Sequence, residues 1–146
     1  MSLTLVQART IIDAALARGR VDGAQPLAVV VLDAGAHPVA TVREDGASLF
    51  RFDIAKAKAS GALGMGADTR ALAARAASNP VFFQSVAAAT GRLALSPGGV
   101  LIRETEGPRA GEVIGAVGIS GDTGECDEAC AIAGILSAGL SHGDVT

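Results

Sequence analysis

The sequence predicts a single α+β domain over residues 1–146, in which N- and C-terminal helices cover a five-stranded, largely antiparallel sheet. Three observations support this fold class. The chain has 146 residues, the usual size of one domain. Short β-branched runs joined by tight turns are typical of antiparallel strands. Apolar residues near both ends of the chain repeat at helical spacing, which predicts a helix at each end.

The N-terminal part is predicted to form a helix followed by a β-hairpin. Thr4 and Gln7 have the spacing of a capping box at the start of the helix, and Gly19 ends its apolar repeat. Two apolar runs separated by a short turn follow, Leu27–Leu32 and Val39–Arg43. Strands joined so closely pair antiparallel, so these runs predict the first hairpin.

The middle of the chain is predicted to be a series of helices that connects two parts of the sheet. The first helix begins near Phe50, and we expect one of its faces to hold Phe50, Ile54, Ala57 and Gly61. Two shorter helices are expected, from Asp68 to Ala77 and from Pro80 to Gly91. Proline at a first helical position and glycine after the last one are typical of helix ends.

The C-terminal part is predicted to complete the sheet and end in a helix. Arg92–Leu95 and Val100–Arg103 are expected to form a second hairpin, and Glu112–Ser120 a fifth strand. The last helix is expected to begin near Thr123, because acidic residues in its first turn suit the positive end of the helix dipole. Its inner face is predicted to contain Ala129, Ala133, Leu136 and Leu140.

Charge and composition argue against several classes of partner. Twelve Lys and Arg against fifteen Asp and Glu leave a net charge of -3, with no basic run, so neither nucleic acid nor an anionic membrane is expected to bind. The N-terminus has neither a basic start nor an apolar signal core, and no run approaches the roughly 18 apolar residues of a membrane span. These features predict a cytoplasmic protein.

The two cysteines, Cys126 and Cys130, predict neither a disulfide framework nor a metal site, and Cys130 is expected in the core.

Several segments of the chain resemble the GlcG/HbpS family of haem-binding or haem-degrading domains, which is related to the C-terminal domain of PduO. The resemblance covers nearly the whole chain. It is carried by Val31–Gly35 with His37, Arg43–Ala47, Lys58-Ala59, Pro97–Gly99, Ile114–Gly121, Asp127–Ala131 and Gly134.

The resemblance implies a profilin-like fold, a homo-oligomer and, as in several members of the family, haem as a cofactor. His37 is the histidine inside the predicted folded body and is therefore the candidate axial ligand, although a turn histidine is more often simply solvated. His142, near the C-terminus, is the weaker candidate.

Further residues are candidates for binding a small-molecule ligand. Cationic side chains can hold a carboxylate or a haem propionate, and a nearby acid can accompany them, which selects Arg43, Asp45, Lys58 and Arg103. The alternative is that these charges are solvated. Gly118, Ser120 and Gly121, where a strand leads into a helix, could present backbone N–H groups to an anion, but glycines at this place can equally serve close packing and a turn.

Three functions are therefore open from the sequence. The first is a haem or tetrapyrrole binding module, and the second is an accessory enzyme of small carboxylic acid catabolism in which Asp45 or Glu104 moves a proton. The third is a non-catalytic protein whose function lies in its assembly. One ring of each pair Phe50/Phe52 and Phe82/Phe83 is expected to face outward, as at a subunit interface or ligand wall.

Overall fold

The structure is a computed structural model that describes residues 3–143. Five helices and five strands occur within this range, and the first helix starts with the predicted capping box, in which Gln7 N donates to Thr4 Oγ1. In chain order the elements are α1 (Leu5–Val21), β1 (Ala28–Asp33), β2 (Pro38–Arg43), α2 (Arg51–Met65), α3 (Thr69–Ser78), α4 (Pro80–Thr90), β3 (Gly99–Arg103), β4 (Val113–Ser120), α5 (Gly124–Ser137) and β5 (Ser141–His142).

The five strands form one sheet in the order β2-β1-β4-β3-β5, and every neighbouring pair is antiparallel. The predicted fold class is therefore confirmed, but one predicted strand is wrong. Arg92–Leu95 is not a strand, because Leu93 and Leu95 pack instead against the cluster formed by Leu72 and Phe83. The fifth strand is β5, which pairs with β3 and places His142 opposite Ile102.

Helices lie on both faces of the sheet. α1 and α5 pack against each other and against one face, where the side chains of Val29, Val31, Val100 and Ile119 are buried. α2 packs on the opposite face, so the middle helices are more than the predicted connection. The result is a three-layer arrangement of helices, sheet and helix.

α2 lies on the sheet through small residues. Its buried face carries Ala55, Ala59 and Ala62, not the predicted face that begins with Phe50, which is exposed. Gly118 of β4 is directly beneath this face, and a Cβ atom there would collide with the carbonyl oxygen of Ala55. Glycine at position 118 therefore permits close packing between helix and strand, which is one of the two roles considered for it from the sequence. The helix that packs there is α2.

α5 also presents a different face from the predicted one. Its buried residues include Cys130, Ala131, Gly134 and Ile135, whereas Leu136 is 56% exposed. The helix ends at Ser137. Gly134 lets α5 approach α1, because a Cβ there would meet the backbone and side chain of Ile11. Cys130 is buried in this contact, as expected from the sequence.

Candidate functional site

The sheet has two ends, and the candidate residues divide between them. At the hairpin end, the β1–β2 turn (residues 33–38) lies beside the start of β4, since Asp33 pairs with Gly115. At the Ser120 end, Ala28 pairs with both Ser120 and Arg43. The six residues of β1 separate the ends by about 17 Å at the rise of a β-strand.

The predicted ligand-binding residues therefore do not form one site. Arg43, Ser120 and Gly121 lie at the Ser120 end, together with Asp45 in the loop after β2, while His37 and Arg103 lie at the hairpin end. Gly118 and Lys58 are buried between α2 and the sheet. The assignment of ligand-binding roles to these residues remains a prediction.

A groove opens at the hairpin end between the β1–β2 turn, the C-terminal half of α2 and the end of α4. We call it the hairpin groove. Its volume is about 520 Å³, which lies within the range of small-molecule sites. Its walls are mostly apolar, and they are formed by Ala34, Gly35, Ala36, Ser60, Gly61, Leu63, Gly64, Met65, Val86, Thr90, Arg92 and Leu93.

Small residues create the space in the hairpin groove. The turn contributes Ala34, Gly35 and Ala36, and α2 contributes two glycines. A Cβ at Gly64 would meet nothing within 4 Å, so this position faces open space. A Cβ at Gly61 would lie 2.7 Å from the Leu93 side chain, which shows that Gly61 allows the segment after α4 to close the groove floor.

His37 lies beside the Gly35 part of the hairpin groove wall, although it is not itself a lining residue. Its imidazole lies against Gly35, where a Cβ would be 2.9 Å from ring atoms of His37. Nδ1 of His37 is 3.3 Å from Oδ1 of Asp33, and the same oxygen accepts the backbone N–H groups of Gly35 and His37. The side chain is 80% exposed. Asp33 thus organises the turn and holds the ring by one nitrogen, which leaves Nε2 accessible.

Lys58 occupies a buried ion pair and not a surface position. Its Nζ is 3.1 Å from Oδ2 of Asp127, and it also donates to the carbonyl oxygen of Ile119 at 2.8 Å. Burial lowers the pKa of Lys58, and the Asp127 carboxylate opposes that shift. Burial likewise raises the pKa of Asp127 against the effect of Lys58. The alternative interpretation of Lys58 as a solvated charge is wrong, because its ammonium is buried and paired within the protein.

The Ser120 end is occupied by contacts within the chain. Ser120 is buried, and its Oγ accepts a hydrogen bond from Arg51 Nη1 at 3.1 Å. Arg43 and Asp45 line an open depression of about 490 Å³ together with Arg20, Pro26 and Glu44. Glu44 is held there by Arg20 and by the backbone N–H of Leu27. This depression is shallow and polar, unlike the hairpin groove.

Arg103 is a structural residue of the sheet edge. Its guanidinium donates to the carbonyl oxygens of Gly143 and Gly111, so it ties the C-terminal segment to the loop before β4.

Cys126 and Cys130 are both reduced. Burial raises the pKa of Cys130 to about 12, and it raises the pKa of Cys126 above its ordinary value. Neither thiol is poised as a nucleophile.

Sequence reasoning did not find several residues of the hairpin groove. Ser60 and Gly64 are spaced so that they share one face of α2, Met65 ends that helix, and Arg92 follows the Gly91 end of α4. The unusual number of glycines in α2 was the available signal, because glycine inside a helix lowers its stability and requires a compensating role.

The fold and the groove define a small α+β domain with a concave surface of ligand-site dimensions. A family model described as haem degrading protein HbpS-like matches residues 3–136, and the chain therefore belongs to the HbpS-like family. This confirms the resemblance found in the sequence. A search of curated protein sequences gave no significant match.

Solved structures with the same fold include members of this group. A crystal structure of HbpS is 28% identical, covers 93% of this chain and 89% of its own, and has a TM-score of 0.79. A double mutant of HbpS from Streptomyces reticuli is also 28% identical, with coverages of 93% and 86% and a TM-score of 0.77. A complex named PduOC:Heme is 22% identical, with coverages of 99% and 100% and a TM-score of 0.85, and at this identity it shows the shared fold.

Among the described residues, no helix has both the length and the apolar character needed to cross a membrane.

Proposed function

We propose that this chain binds haem in the hairpin groove, with His37 as the axial ligand of the iron. The observation that carries the proposal is the position of the His37 ring, which lies against Gly35 in the groove wall and contacts Asp33 through Nδ1. A carboxylate next to one imidazole nitrogen fixes the ring and makes the other nitrogen a stronger ligand for a metal ion. Nε2 of His37 would then be the nitrogen that coordinates the iron.

The remaining walls of the hairpin groove fit a tetrapyrrole. Leu63, Met65, Val86 and Leu93 offer apolar surface to a flat macrocycle, and Arg92 offers a cation for a propionate. When bound, haem would supply an iron centre capable of ligand binding and redox chemistry. Membership of a haem-related family supports the proposal, as does a solved relative that carries haem.

The residues of this chain would hold and orient the ligand. Asp33 keeps the imidazole in place by accepting from the turn backbone as well as facing Nδ1. Residues of α2 and α4 in the groove wall would shield a bound macrocycle from water. The open side of the groove leaves the other side of the ligand to solvent or to a partner.

Titration of the purified protein with haemin, followed by absorbance in the Soret region, tests this function. We expect a saturable spectral shift in the wild type and loss of the axial-ligand signature in His37→Ala. His142→Ala is the matched control, because it removes the other histidine of the chain, and Phe82→Ala controls for loss of exposed apolar surface. Absence of saturation would contradict haem binding, and an unchanged spectrum in His37→Ala would contradict the ligand assignment.

We also propose that the chain assembles with copies of itself in the cytoplasm. Exposed apolar side chains between β2 and α2 support an interface, since Leu49 is 71% and Phe50 is 68% exposed. Phe52 is exposed as well, so both rings of this pair face outward, whereas Phe83 is buried and Phe82 exposed. Light scattering on Leu49→Ser/Phe50→Ser, compared with the wild type, tests the interface, because a smaller particle is expected.

The role in carboxylic acid catabolism remains a prediction. Its proposed cation Lys58 is paired with Asp127 inside the protein, so a substrate carboxylate at the Ser120 end would depend on Arg43. Purified protein whose melting temperature rises with small carboxylic acids, but not with haemin, would favour this role over haem binding.

A further inference from the structure

The hairpin groove continues into a polar recess. A cavity of about 290 Å³ shares Ser60, Thr90 and Arg92 with the groove, so the two spaces are contiguous. Its other lining residues are Asp53, Lys56, Ala57 and Gly91. The combined site therefore has an apolar body beside the β1–β2 turn and a polar end at the N-terminal side of α2.

The cations of this polar end have no partner among residues 3–143. Most basic side chains of the chain are held by carboxylates, hydroxyls or carbonyls, namely Arg18, Arg20, Arg51, Lys58, Arg70, Arg103 and Arg109. Within residues 3–143, the Lys56 ammonium and the Arg92 guanidinium form no ion pair or hydrogen bond. Their donors are therefore available to a ligand.

The charge balance of the recess favours an anion. Lys56 and Arg92 supply two positive charges against the single negative charge of Asp53, and Asp53 is not paired with either. Thr90 Oγ1 donates to the carbonyl oxygen of Val86 and accepts from the Arg92 backbone, which fixes the start of the segment that carries the guanidinium. A guanidinium and an ammonium that line the same recess suit the carboxylates of a ligand whose apolar part lies in the groove.

We infer that this site recognises planar tetrapyrroles through their carboxylates, with Arg92 and Lys56 as the specificity-determining residues, and that iron is not required for recognition. The inference rests on the proposed function, since it concerns the same groove. It adds a second determinant at the opposite end of the ligand from His37. Iron-free porphyrins with free carboxylates then belong to the same ligand class as haem.

The test uses a pair of iron-free porphyrins that differ in carboxylate charge. Protoporphyrin IX and its dimethyl ester are titrated under one detergent condition, and binding is read from porphyrin fluorescence. Haemin is titrated in parallel. The proteins are the wild type, Arg92→Met/Lys56→Met, and Arg9→Met, a control that removes an unpaired cation of α1 on the other face of the sheet.

We expect the wild type and Arg9→Met to bind protoporphyrin IX at least tenfold more tightly than the ester. In Arg92→Met/Lys56→Met the free acid is expected to weaken by tenfold or more while the ester changes little. The inference is overturned if the wild type binds the free acid and the ester equally, or if the preference for the free acid survives in Arg92→Met/Lys56→Met. Saturable haemin binding in the same experiment would leave the proposed function standing. If neither haemin nor protoporphyrin IX binds, both are overturned.

Discussion

Lys58 of α2 and Asp127 of α5 form an ion pair of 3.1 Å that lies across the sheet, with both side chains almost fully buried. The ammonium also donates to Ile119 O, and Asp127 Oδ1 also accepts from the backbone N–H of Asp122. Helices on opposite faces of the sheet are thus joined at the point where β4 leads into α5. Burial removes each charge from water, which costs free energy. The attraction between the two charges offsets this cost only while both are present.

Removal of one member of this pair should destabilise the fold strongly. Lys58→Met and Asp127→Asn are each expected to lower the free energy of unfolding by about 3–5 kcal/mol, because each leaves the other group without its buried partner. The double variant should lose less than the sum of the single losses. Urea unfolding of the four proteins measures this, and strictly additive losses would show that the two groups are not coupled.

Gly118 of β4 and Gly64 of α2 should respond in opposite ways to alanine. Gly118→Ala is expected to lower the free energy of unfolding by about 3 kcal/mol or more, because the new Cβ would overlap the Ala55 backbone and neither strand nor helix can yield easily. Gly64→Ala is expected to raise it by about 0.5–1 kcal/mol, since its Cβ meets open space and alanine favours the helix. Thermal unfolding would contradict the packing interpretation if both changes had the same sign.

The buried thiol of Cys130 should make stability depend on alkaline pH. Burial raises its pKa from the ordinary 9.0 to about 12, so between these values the unfolded chain releases a proton that the folded chain keeps. The contribution is complete below pH 9 and is lost as the pH rises toward 12. The free energy of unfolding is expected to fall by up to about 1.4 kcal/mol per pH unit in this window from this group alone.

Cys130→Ala removes this part of the alkaline slope, whereas Cys126→Ala, which alters a partly exposed thiol, should remove less of it. Urea unfolding at several pH values between 8 and 11 measures the difference. Parallel slopes for the wild type and Cys130→Ala would mean that the thiol titrates alike in the folded and unfolded chains.

Gly35 should control the position of the proposed haem ligand without touching iron. A Cβ there would overlap the His37 ring, so Gly35→Ala is expected to turn the imidazole away from the groove wall while leaving the sheet intact. Haemin affinity should fall by tenfold or more, with a change in the axial-ligand band of the spectrum. Gly64→Ala tests whether any added methyl in the groove wall has this effect. An unchanged spectrum in Gly35→Ala would place the ligand elsewhere.

The fold class was predictable from the sequence because its signals are local. A capping box, a proline at a helix start and glycines at helix ends mark boundaries within a few residues of themselves. The strand assigned to Arg92–Leu95 was wrong because four residues with alternating apolar character fit a strand and a packed loop equally well. β5 has only two residues, Ser141 and His142, and its pairing with β3 is set by tertiary contacts.

The inner faces of α2 and α5 were mispredicted for a common reason. In helices rich in alanine and glycine, apolar residues occur on every side, and the largest ones are not the buried ones. Leu136 and Phe50 are exposed, whereas Ala55 and Gly134 lie at the tightest contacts. Burial there follows from available volume, which hydrophobicity alone does not report.

The candidate site was predictable only in part. His37 was identified because it is the histidine of the first hairpin, but the groove residues Met65 and Arg92 come from segments far from it in sequence. Lys58 gave no local sign of burial, since Asp127 follows it by 69 residues. A groove assembled from three separate segments needs the tertiary structure before its members can be named.

The seam of small residues beneath α2 has a mechanical consequence. Ala55, Ala59 and Gly118 bring the helix and strand backbones into direct contact, so no long side chain separates them at this point. We therefore expect a displacement at one end of α2 to be transmitted to the other end. The fifteen residues of α2 would then behave as a stiff lever, whose two arms are the groove wall near Met65 and the Arg51 contact with Ser120.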